Sequence, residues 1–167
     1  MNINFRQFKE ADVPLFYKWA DKMHVKEKWF KEGYAPKESI LKKLDSSSTT
    51  FPFIICLDEE NIGYIQYYFM NEDAYKIYKE EPQNTVGFDI FIGEEDYLHK
   101  GYGTKIVKEF SHMLFQQYAV SKIIVDPFID DKRAIRCYEN AGFKFYKEDK
   151  DDKGSKIYVM QRLKIID

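Results

Sequence analysis

The sequence has few of the residues that build disulfide or metal frameworks. Its 167 residues include two cysteines and three histidines. Cys56 and Cys137 stand far apart without CxxC or Cys/His ligand spacing, and the histidines form no HxxxH pair. We therefore expect neither a disulfide framework nor a structural zinc site, and no metal cofactor.

An excess of one charge and long apolar runs are also lacking. The 26 Lys and Arg residues nearly balance the 28 Asp and Glu residues, so the net charge of −2 supplies no global positive field for nucleic acid. No stretch approaches the roughly 18 apolar residues of a membrane span, and the N-terminus is polar where a signal peptide needs an apolar run. We expect a cytoplasmic protein with neither nucleic-acid nor membrane partners.

Aromatic residues, by contrast, are abundant. They make up 17% of the chain, with 14 Phe, 13 Tyr and 2 Trp, whereas disordered chains are poor in such residues. A chain of 20.0 kDa is the size of one ordinary domain and can bury a shared core. We expect residues 1–167 to form a single domain.

Hydrophobic periodicity places strands and helices in a mixed order. The chain shows no internal repeat or change of composition that marks a second domain. Together the segments predict an α/β (α+β) domain with a mostly antiparallel early sheet and βα units in its second half. We predict strands over 2–8, 51–57, 62–69, 85–92, 122–125, from 143 and over 157–163, and helices over 10–21, from 36, after 103 and over 131–140.

A glycine turn precedes the longest predicted helix. Gly101 and Gly103 lie where unsatisfied backbone N–H groups and the helix dipole favour an anion such as a pyrophosphate, and Lys100 and Lys105 add positive charge. A tight turn needs glycine for backbone reasons as well, so both interpretations stay open. The spacing matches neither the P-loop nor the dinucleotide-binding fingerprint.

Asp89 is an isolated acid in an apolar strand. Alternation puts it on the face shared by Gly87, Phe91 and Gly93. A buried carboxylate must be paired, hydrogen-bonded or held for chemistry, whereas an exposed sheet edge would accommodate it without a function. Its flanking glycines favour close approach of another backbone or a ligand.

Two more polar residues stand at positions suited to a ligand site. Asp126 ends a predicted strand beside a βα turn, where carboxylates can face a ligand crevice or simply form the turn. Tyr138 lies four residues after Ala134 on one helix face, where it can pack in the core. A phenol of pKa about 10 can also donate its proton to a leaving thiolate of pKa about 8.5.

These segments resemble the GNAT superfamily of acetyl-CoA-dependent N-acetyltransferases. LHKGYGTKIV is similar to the pyrophosphate motif [QR]-x-x-G-x-[GA], and DDKRAIRCYENAGF is similar to N-x-x-A-x-x-x-Y-x-x-x-G-F. HVKEKWF, IGYIQYY, VGFDIFIGEEDYLHKGYGT and KIIVDPFIDDKRAIRCYENAGF resemble aminoglycoside 6'-N-acetyltransferases in order and spacing. The resemblance covers about residues 24–143 and implies the GNAT fold, with one mixed, mostly antiparallel central sheet flanked by helices.

The resemblance also implies how acetyl-CoA is bound. The glycine turn would offer backbone N–H groups to the pyrophosphate, and the strand Ile90 to Ile92 would hold the pantetheine by strand-like hydrogen bonds. The cofactor-binding residues implied in this way are Ile90, Phe91, Ile92, Lys100, Gly101, Tyr102, Gly103, Thr104, Asp131 and Ala134.

The implied chemistry is transfer of an acetyl group to an amine of a cationic aminoglycoside, with antibiotic resistance as the outcome. Asp89 matches the acid that accepts the proton of the amine or orients it, and Tyr138 matches the tyrosine that protonates the departing thiolate. The implied substrate-binding residues are Trp29, Gln66, Tyr68, Asp73, Tyr78, Asp89 and Asp126.

Three positions depart from the superfamily pattern. Leu98 stands where Gln or Arg is usual, and His99 stands where Gly is usual. Asp131 replaces the usual Asn, which keeps a helix N-cap but brings a negative charge near the cofactor. The resemblance implies that these changes alter a contact to the phosphates and weaken cofactor affinity without removing the pyrophosphate cradle.

Other functions share part of this pattern. A GNAT enzyme for a polyamine, a siderophore precursor or a protein lysine would keep the CoA motifs and differ in the acceptor segments. A CoA-binding regulatory module would not need both Asp89 and Tyr138, and an interaction domain would bind no acetyl-CoA. The sequence allows a monomer or a homodimer.

Overall fold

A computed structural model describes residues 1–70, 76–79 and 81–165. Strands and helices alternate along that part of the chain, with short 3-10 helices at Glu10–Asp12, Lys76–Tyr78 and Glu95–Tyr97. In order the main elements are β1 (Ile3–Gln7), α1 (Val13–Ala20), α2 (Met23–Trp29), α3 (Lys37–Lys42), β2 (Thr50–Leu57), β3 (Glu60–Phe69), β4 (Thr85–Ile92), α4 (Tyr102–Gln117), β5 (Lys122–Val125), α5 (Lys132–Asn140), β6 (Lys144–Lys150) and β7 (Lys156–Leu163).

The strands form one mixed sheet in the order β1-β2-β3-β4-β5-β7-β6. The pairs β1–β2, β2–β3, β5–β7 and β6–β7 are antiparallel, and β4 and β5 are parallel. The parallel register joins Thr85–Gly87 to Lys122–Ile124, and β4 continues through Phe88–Ile92 beyond it. The mostly antiparallel mixed sheet expected from the sequence is confirmed.

The chain divides into two compact units. The first comprises Met1–Tyr68 and Asp89–Lys100, and the second comprises Phe69–Phe88 and Gly101–Asp167. Each unit has its own buried side chains. The prediction of a single domain remains a prediction.

An aromatic core fills the first unit. Phe16 and the fully buried Trp19 lie three residues apart on α1, so they share its buried face. The Phe16 ring centre lies 4.9 Å from that of Tyr64 on β3 and 5.8 Å from that of Phe91 on β4. A Cβ on Gly93 would overlap the Trp19 ring, so glycine is required for this close approach. Much of the aromatic content therefore stabilises this core.

The second unit contains α4 and the first half of β4. The helix buries a stripe at three- and four-residue spacing, and Phe110 on that stripe meets Phe88 at 5.8 Å between ring centres. Gly142 follows α5 with φ +92, the left-handed conformation typical of a helix C-terminus. The buried stripe of α4 consists of Ile106, Val107, Phe110, Ser111, Leu114 and Phe115.

The predicted strands and the helices α1, α3, α4 and α5 are confirmed, with ends displaced by a few residues. The start of the 10–21 segment is a 3-10 helix that leads into α1. The sequence did not indicate α2, because Val25 is its only buried residue and no apolar period marks it. Within the described part of the chain, every helix is too short or too polar to cross a membrane.

Candidate functional site

Asp89 lies in the central strand β4 of the sheet, on the face that carries Phe91 into the core of the first unit. Gln66 Nε2 donates a 2.9 Å hydrogen bond to Asp89 Oδ2, and the Tyr68 hydroxyl lies 3.3 Å from Oδ1. Gln66 and Tyr68 alternate along β3 and therefore share one of its faces. Two of the residues predicted to line the acceptor site thus hold the carboxylate predicted to act on the amine.

Two further donors hold the Gln66 side chain. Lys43 Nζ and the Tyr64 hydroxyl each donate to Gln66 Oε1, both at 2.7 Å. Burial lowers the pKa of the Lys43 ammonium, and Asp89 partly offsets this shift. Burial, with a smaller contribution from the Asp89 charge, raises the pKa of the Tyr64 phenol. Neither Lys43 nor Tyr64 was predicted from the sequence as a site residue.

The next residues of β4 combine core packing with backbone polar groups. Phe91 is buried, whereas Ile90 and Ile92 are half-buried. His24 Nε2 lies 2.9 Å from the Ile92 carbonyl oxygen, so the ring nitrogen is the donor. The Gly93 N–H donates to Ile62 O at 2.8 Å. His24, on the unpredicted helix α2, is a third residue that was not singled out from the sequence, and it lies beside a predicted cofactor-binding strand.

The residues after β4 adopt turn conformations that suit glycine. His99 has φ +60, a left-handed conformation that glycine adopts more readily than histidine. Gly101 has φ +80 and precedes α4, and a Cβ there would meet nothing within 4 Å. Conformation, and not packing, therefore favours glycine at 101. Lys100 and Lys105 are exposed.

The first turn of α4 has no side-chain cap in the described part of the chain. A Cβ on Gly103 would lie 3.6 Å from Cys137 Sγ, an ordinary contact, and Gly103 is not among the glycines with positive φ. The Thr104 hydroxyl also lies 3.6 Å from the Cys137 sulfur. Tyr102 and Lys105 form a cation–π pair at 5.7 Å.

The start of α5 matches the predicted N-cap. Asp131 Oδ1 accepts a 3.0 Å hydrogen bond from the Ala134 N–H, which confirms that Asp keeps the capping function of the usual Asn. Ala134 is half-buried. Tyr138, one turn later, packs edge-on against Phe88 at 6.1 Å and Phe143 at 5.6 Å between ring centres.

Asp126 follows β5 in the second unit, next to the buried Tyr78. The Tyr78 hydroxyl donates a 2.9 Å hydrogen bond to Asp126 Oδ2. Asp126 is exposed by surface area, yet desolvation by the surrounding protein raises the pKa of its carboxyl, and the bond from Tyr78 opposes this shift. The hydroxyl of the buried Tyr78 therefore orients the Asp126 carboxylate.

The remaining predicted substrate residues are Trp29 and Asp73. Trp29 ends α2 with 39% of its surface exposed, so its ring is open to a ligand. Asp73 lies outside the described residues. Among the residues that are described, no group of three His, Cys, Asp or Glu side chains is arranged to hold a metal ion.

Comparison with known proteins identifies the family. Residues 9–150 match the acetyltransferase (GNAT) domain family. The Klebsiella pneumoniae aminoglycoside N(6')-acetyltransferase type 1 is 32% identical over 166 residues, which cover 96% of this chain and 83% of that protein. The chain therefore belongs to the GNAT acetyltransferase family, and the family and enzyme class expected from the sequence are confirmed.

Solved structures agree with this assignment. Aminoglycoside acetyltransferase AAC(6')-Ib in complex with coenzyme A and kanamycin has a TM-score of 0.83 and is 28% identical, covering 97% of this chain and 95% of its own. The same enzyme with paromomycin and acetyl-CoA has a TM-score of 0.84 at 28% identity, covering 98% and 94%. The expected GNAT fold is thereby confirmed.

Proposed function

We propose that this protein transfers the acetyl group of acetyl-CoA to the 6'-amine of aminoglycoside antibiotics and so confers resistance to them. The observation that carries the proposal is Asp89, an acid in the central strand that Gln66 and Tyr68 hold by hydrogen bonds. The likeness to an aminoglycoside N(6')-acetyltransferase over nearly the whole chain supports this substrate class.

The residues of the glycine turn fit an acetyl-CoA pyrophosphate. Neither a positive φ nor packing against Cys137 requires glycine at 103, whereas an anion that approaches the backbone does favour it. The uncapped first turn of α4 supplies N–H groups and the positive end of a 16-residue helix. We assign Lys100, Gly101, Tyr102, Gly103 and Thr104 to this contact.

The segment Ile90 to Ile92 is assigned to the pantetheine. The parallel pairing of β4 with β5 ends at Gly87, so β4 extends beyond it with backbone N–H and C=O groups. His24 stabilises one of these carbonyls, that of Ile92. Asp131 and Ala134, joined at the N-cap of α5, complete the cofactor assignments.

When bound, acetyl-CoA supplies the activated thioester. Asp89 accepts the proton that the ammonium group of the acceptor must lose, directly or through water. An aspartate of ordinary pKa about 3.9 is a weak base for an ammonium, so positioning of the amine supplies much of the effect. The hydrogen bonds from Gln66 and Tyr68 fix the Asp89 carboxylate, which in turn positions the amine.

Tyr138 and Asp126 have separate roles in the proposal. The hydroxyl of Tyr138 gives its proton to the departing thiolate, and the contacts with Phe88 and Phe143 fix its ring. Asp126 attracts another ammonium group of the drug, with Tyr78 as its orienting donor. Trp29 offers a flat exposed surface to sugar rings, and Asp73 adds negative charge.

The proposal includes three expectations that come from the sequence. Residues 1–167 act as one domain, the protein works in the cytoplasm, and it is a monomer or a homodimer. Sedimentation equilibrium with and without acetyl-CoA distinguishes the two oligomeric states.

Thiol release from acetyl-CoA against a panel of amines tests the function. The panel pairs aminoglycosides that carry a 6'-amine with matched drugs that carry a hydroxyl there, beside polyamines and lysine peptides. We expect turnover only with the first group. Equal rates for drugs without the 6'-amine would overturn the regiochemistry, and turnover confined to polyamines or lysine peptides would overturn the substrate class.

A further inference from the structure

Lys43 occupies an unusual position for a lysine. It follows the short helix α3, is half-buried, and points its ammonium at a neutral amide oxygen, Gln66 Oε1, at 2.7 Å. Its ammonium also lies 5.9 Å from the centre of the Tyr64 ring. Taking this charge out of water is unfavourable, and burial accordingly lowers the pKa of Lys43.

The contact determines which way the Gln66 amide points. The oxygen of the amide accepts from two donors, Lys43 Nζ and the Tyr64 hydroxyl. A rotation of the amide by half a turn would place its NH2 group against the ammonium, which cannot accept a hydrogen bond. The arrangement therefore keeps Nε2 facing Asp89, where it donates at 2.9 Å.

We propose that Lys43 is a positioning residue for the acceptor-site carboxylate, acting through Gln66 to hold Asp89 in its working orientation. The inference rests on the proposed function, because it gives Asp89 its role. The amide lies between the ammonium and the carboxylate as a neutral spacer. Lys43 thus orients Asp89 through this amide, and the carboxylate is held in position for a cationic acceptor.

Kinetics of Lys43→Met test this role. We expect kcat to fall by about tenfold to a hundredfold, the loss typical of a misplaced reacting group, with KM for the aminoglycoside changed less than about threefold. Lys43→Arg, which keeps a charged donor, should restore most of kcat. The matched control is Lys42→Met, which removes the exposed neighbouring lysine of α3 and should leave both constants unchanged.

A double-mutant cycle identifies the route. If Lys43 acts through Gln66, the double variant Lys43→Met, Gln66→Leu loses no more kcat than Gln66→Leu alone. If the loss of kcat in the double variant equals the product of the two single-variant losses, the proposal is overturned. A wild-type kcat in Lys43→Met would also overturn it. Tyr64→Phe keeps the ring but removes the second donor, so it gives a smaller loss of kcat and serves if Lys43→Met fails to fold.

An activity-independent measurement separates this inference from the proposed function. The side-chain NH2 resonances of Gln66, assigned by their loss in Gln66→Leu, should shift or broaden in Lys43→Met and return in Lys43→Arg. If these resonances respond but the wild type acetylates no aminoglycoside, the function fails and the orientation of Gln66 by Lys43 stands. If the wild type is active and the resonances are unchanged, the inference is wrong.

Discussion

The hydroxyl group of Tyr78 donates a 2.9 Å hydrogen bond to Oδ2 of Asp126, although only 2% of Tyr78 is exposed. The two residues are far apart in the chain, and the bond joins a core side chain to an exposed carboxylate. Burial also raises the pKa of the Tyr78 phenol, so Tyr78 remains a donor in this pair at neutral pH.

Tyr78→Phe removes this donor and keeps the ring. Because the bond lowers the pKa of Asp126, its loss should raise that pKa further and weaken binding of a cationic drug. We expect KM for the aminoglycoside to rise by about threefold to tenfold with little change in kcat, and the rise to grow as the pH falls. Steady-state kinetics across pH measure this.

Tyr146→Phe is the matched control. Tyr146 lies in the same unit, and its hydroxyl donates at 2.8 Å to Glu81 instead of Asp126. We expect an unchanged KM in this variant. A KM for Tyr78→Phe equal to the wild-type value at every pH would show that Tyr78 does not orient a substrate-binding Asp126.

Asp89→Asn tests the carboxylate in the central strand. The amide has the same shape and keeps an oxygen that can accept from Gln66, but it cannot take a proton from the acceptor. We expect kcat at saturating drug to fall by about a hundredfold to ten-thousandfold. Unaltered thermal unfolding would show that the loss is chemical, whereas full turnover at saturating drug would remove Asp89 from the mechanism.

Tyr138→Phe removes the hydroxyl that donates the proton and keeps the packed ring. Phe retains the edge-on packing against Phe88 and Phe143, so we expect the free energy of unfolding to change by less than about 0.5 kcal/mol. The loss of the hydroxyl should lower kcat by about a hundredfold, because the departing thiolate loses its proton donor. Pre-steady-state thiol release measures the step, and an unchanged rate would contradict the assignment.

Glu94→Gln tests a structural contact of the first unit. Lys22 Nζ and Trp19 Nε1 each donate to Glu94 at 2.7 Å, and these bonds, that of Lys22 most, lower the pKa of Glu94 from its ordinary 4.5. A carboxyl group whose pKa is lowered by folding stabilises the fold at pH values above its unfolded-state pKa. This contribution is lost as the pH falls through the folded-state pKa.

The free energy of unfolding of the wild type should therefore exceed that of Glu94→Gln by about 1 kcal/mol at neutral pH. The value is modest because Glu94 is partly exposed. The difference should shrink below pH 4.5 and vanish in stronger acid. Urea unfolding at neutral pH and in acid measures this difference in free energy, with Glu109→Gln on the exposed face of α4 as the control. A difference that persists in acid would mean that packing, and not charge, is responsible.

Much of the fold was predictable because its signals are local. Alternation in β4 put Asp89 and Phe91 on one face, and α4 has an apolar period that needs no tertiary context. Asp131 also indicates the start of α5, because aspartate is a preferred N-cap residue. In contrast, Val25 is the one buried residue of α2, so no apolar periodicity in the sequence marks this helix. Its helical conformation depends on its surroundings.

The side-chain partners could not be predicted in the same way. The pairing of Lys43 with Gln66 depends on how α3 lies against β3, and 23 positions separate the two residues. The sequence also placed Tyr78 in the acceptor site, but it could not show that this side chain is buried and donates to Asp126. Packing decides both outcomes, because burial is a property of neighbours that are distant in the chain.

Cys137 gives the protein a chemical reporter of its own. Its half-buried sulfur lies 3.6 Å from the Thr104 hydroxyl, whereas Cys56 is buried. A fluorescent thiol reagent should label position 137 in preference to position 56. The rate of that labelling would follow a ligand at the glycine turn in real time, in variants without turnover as well as in the wild type.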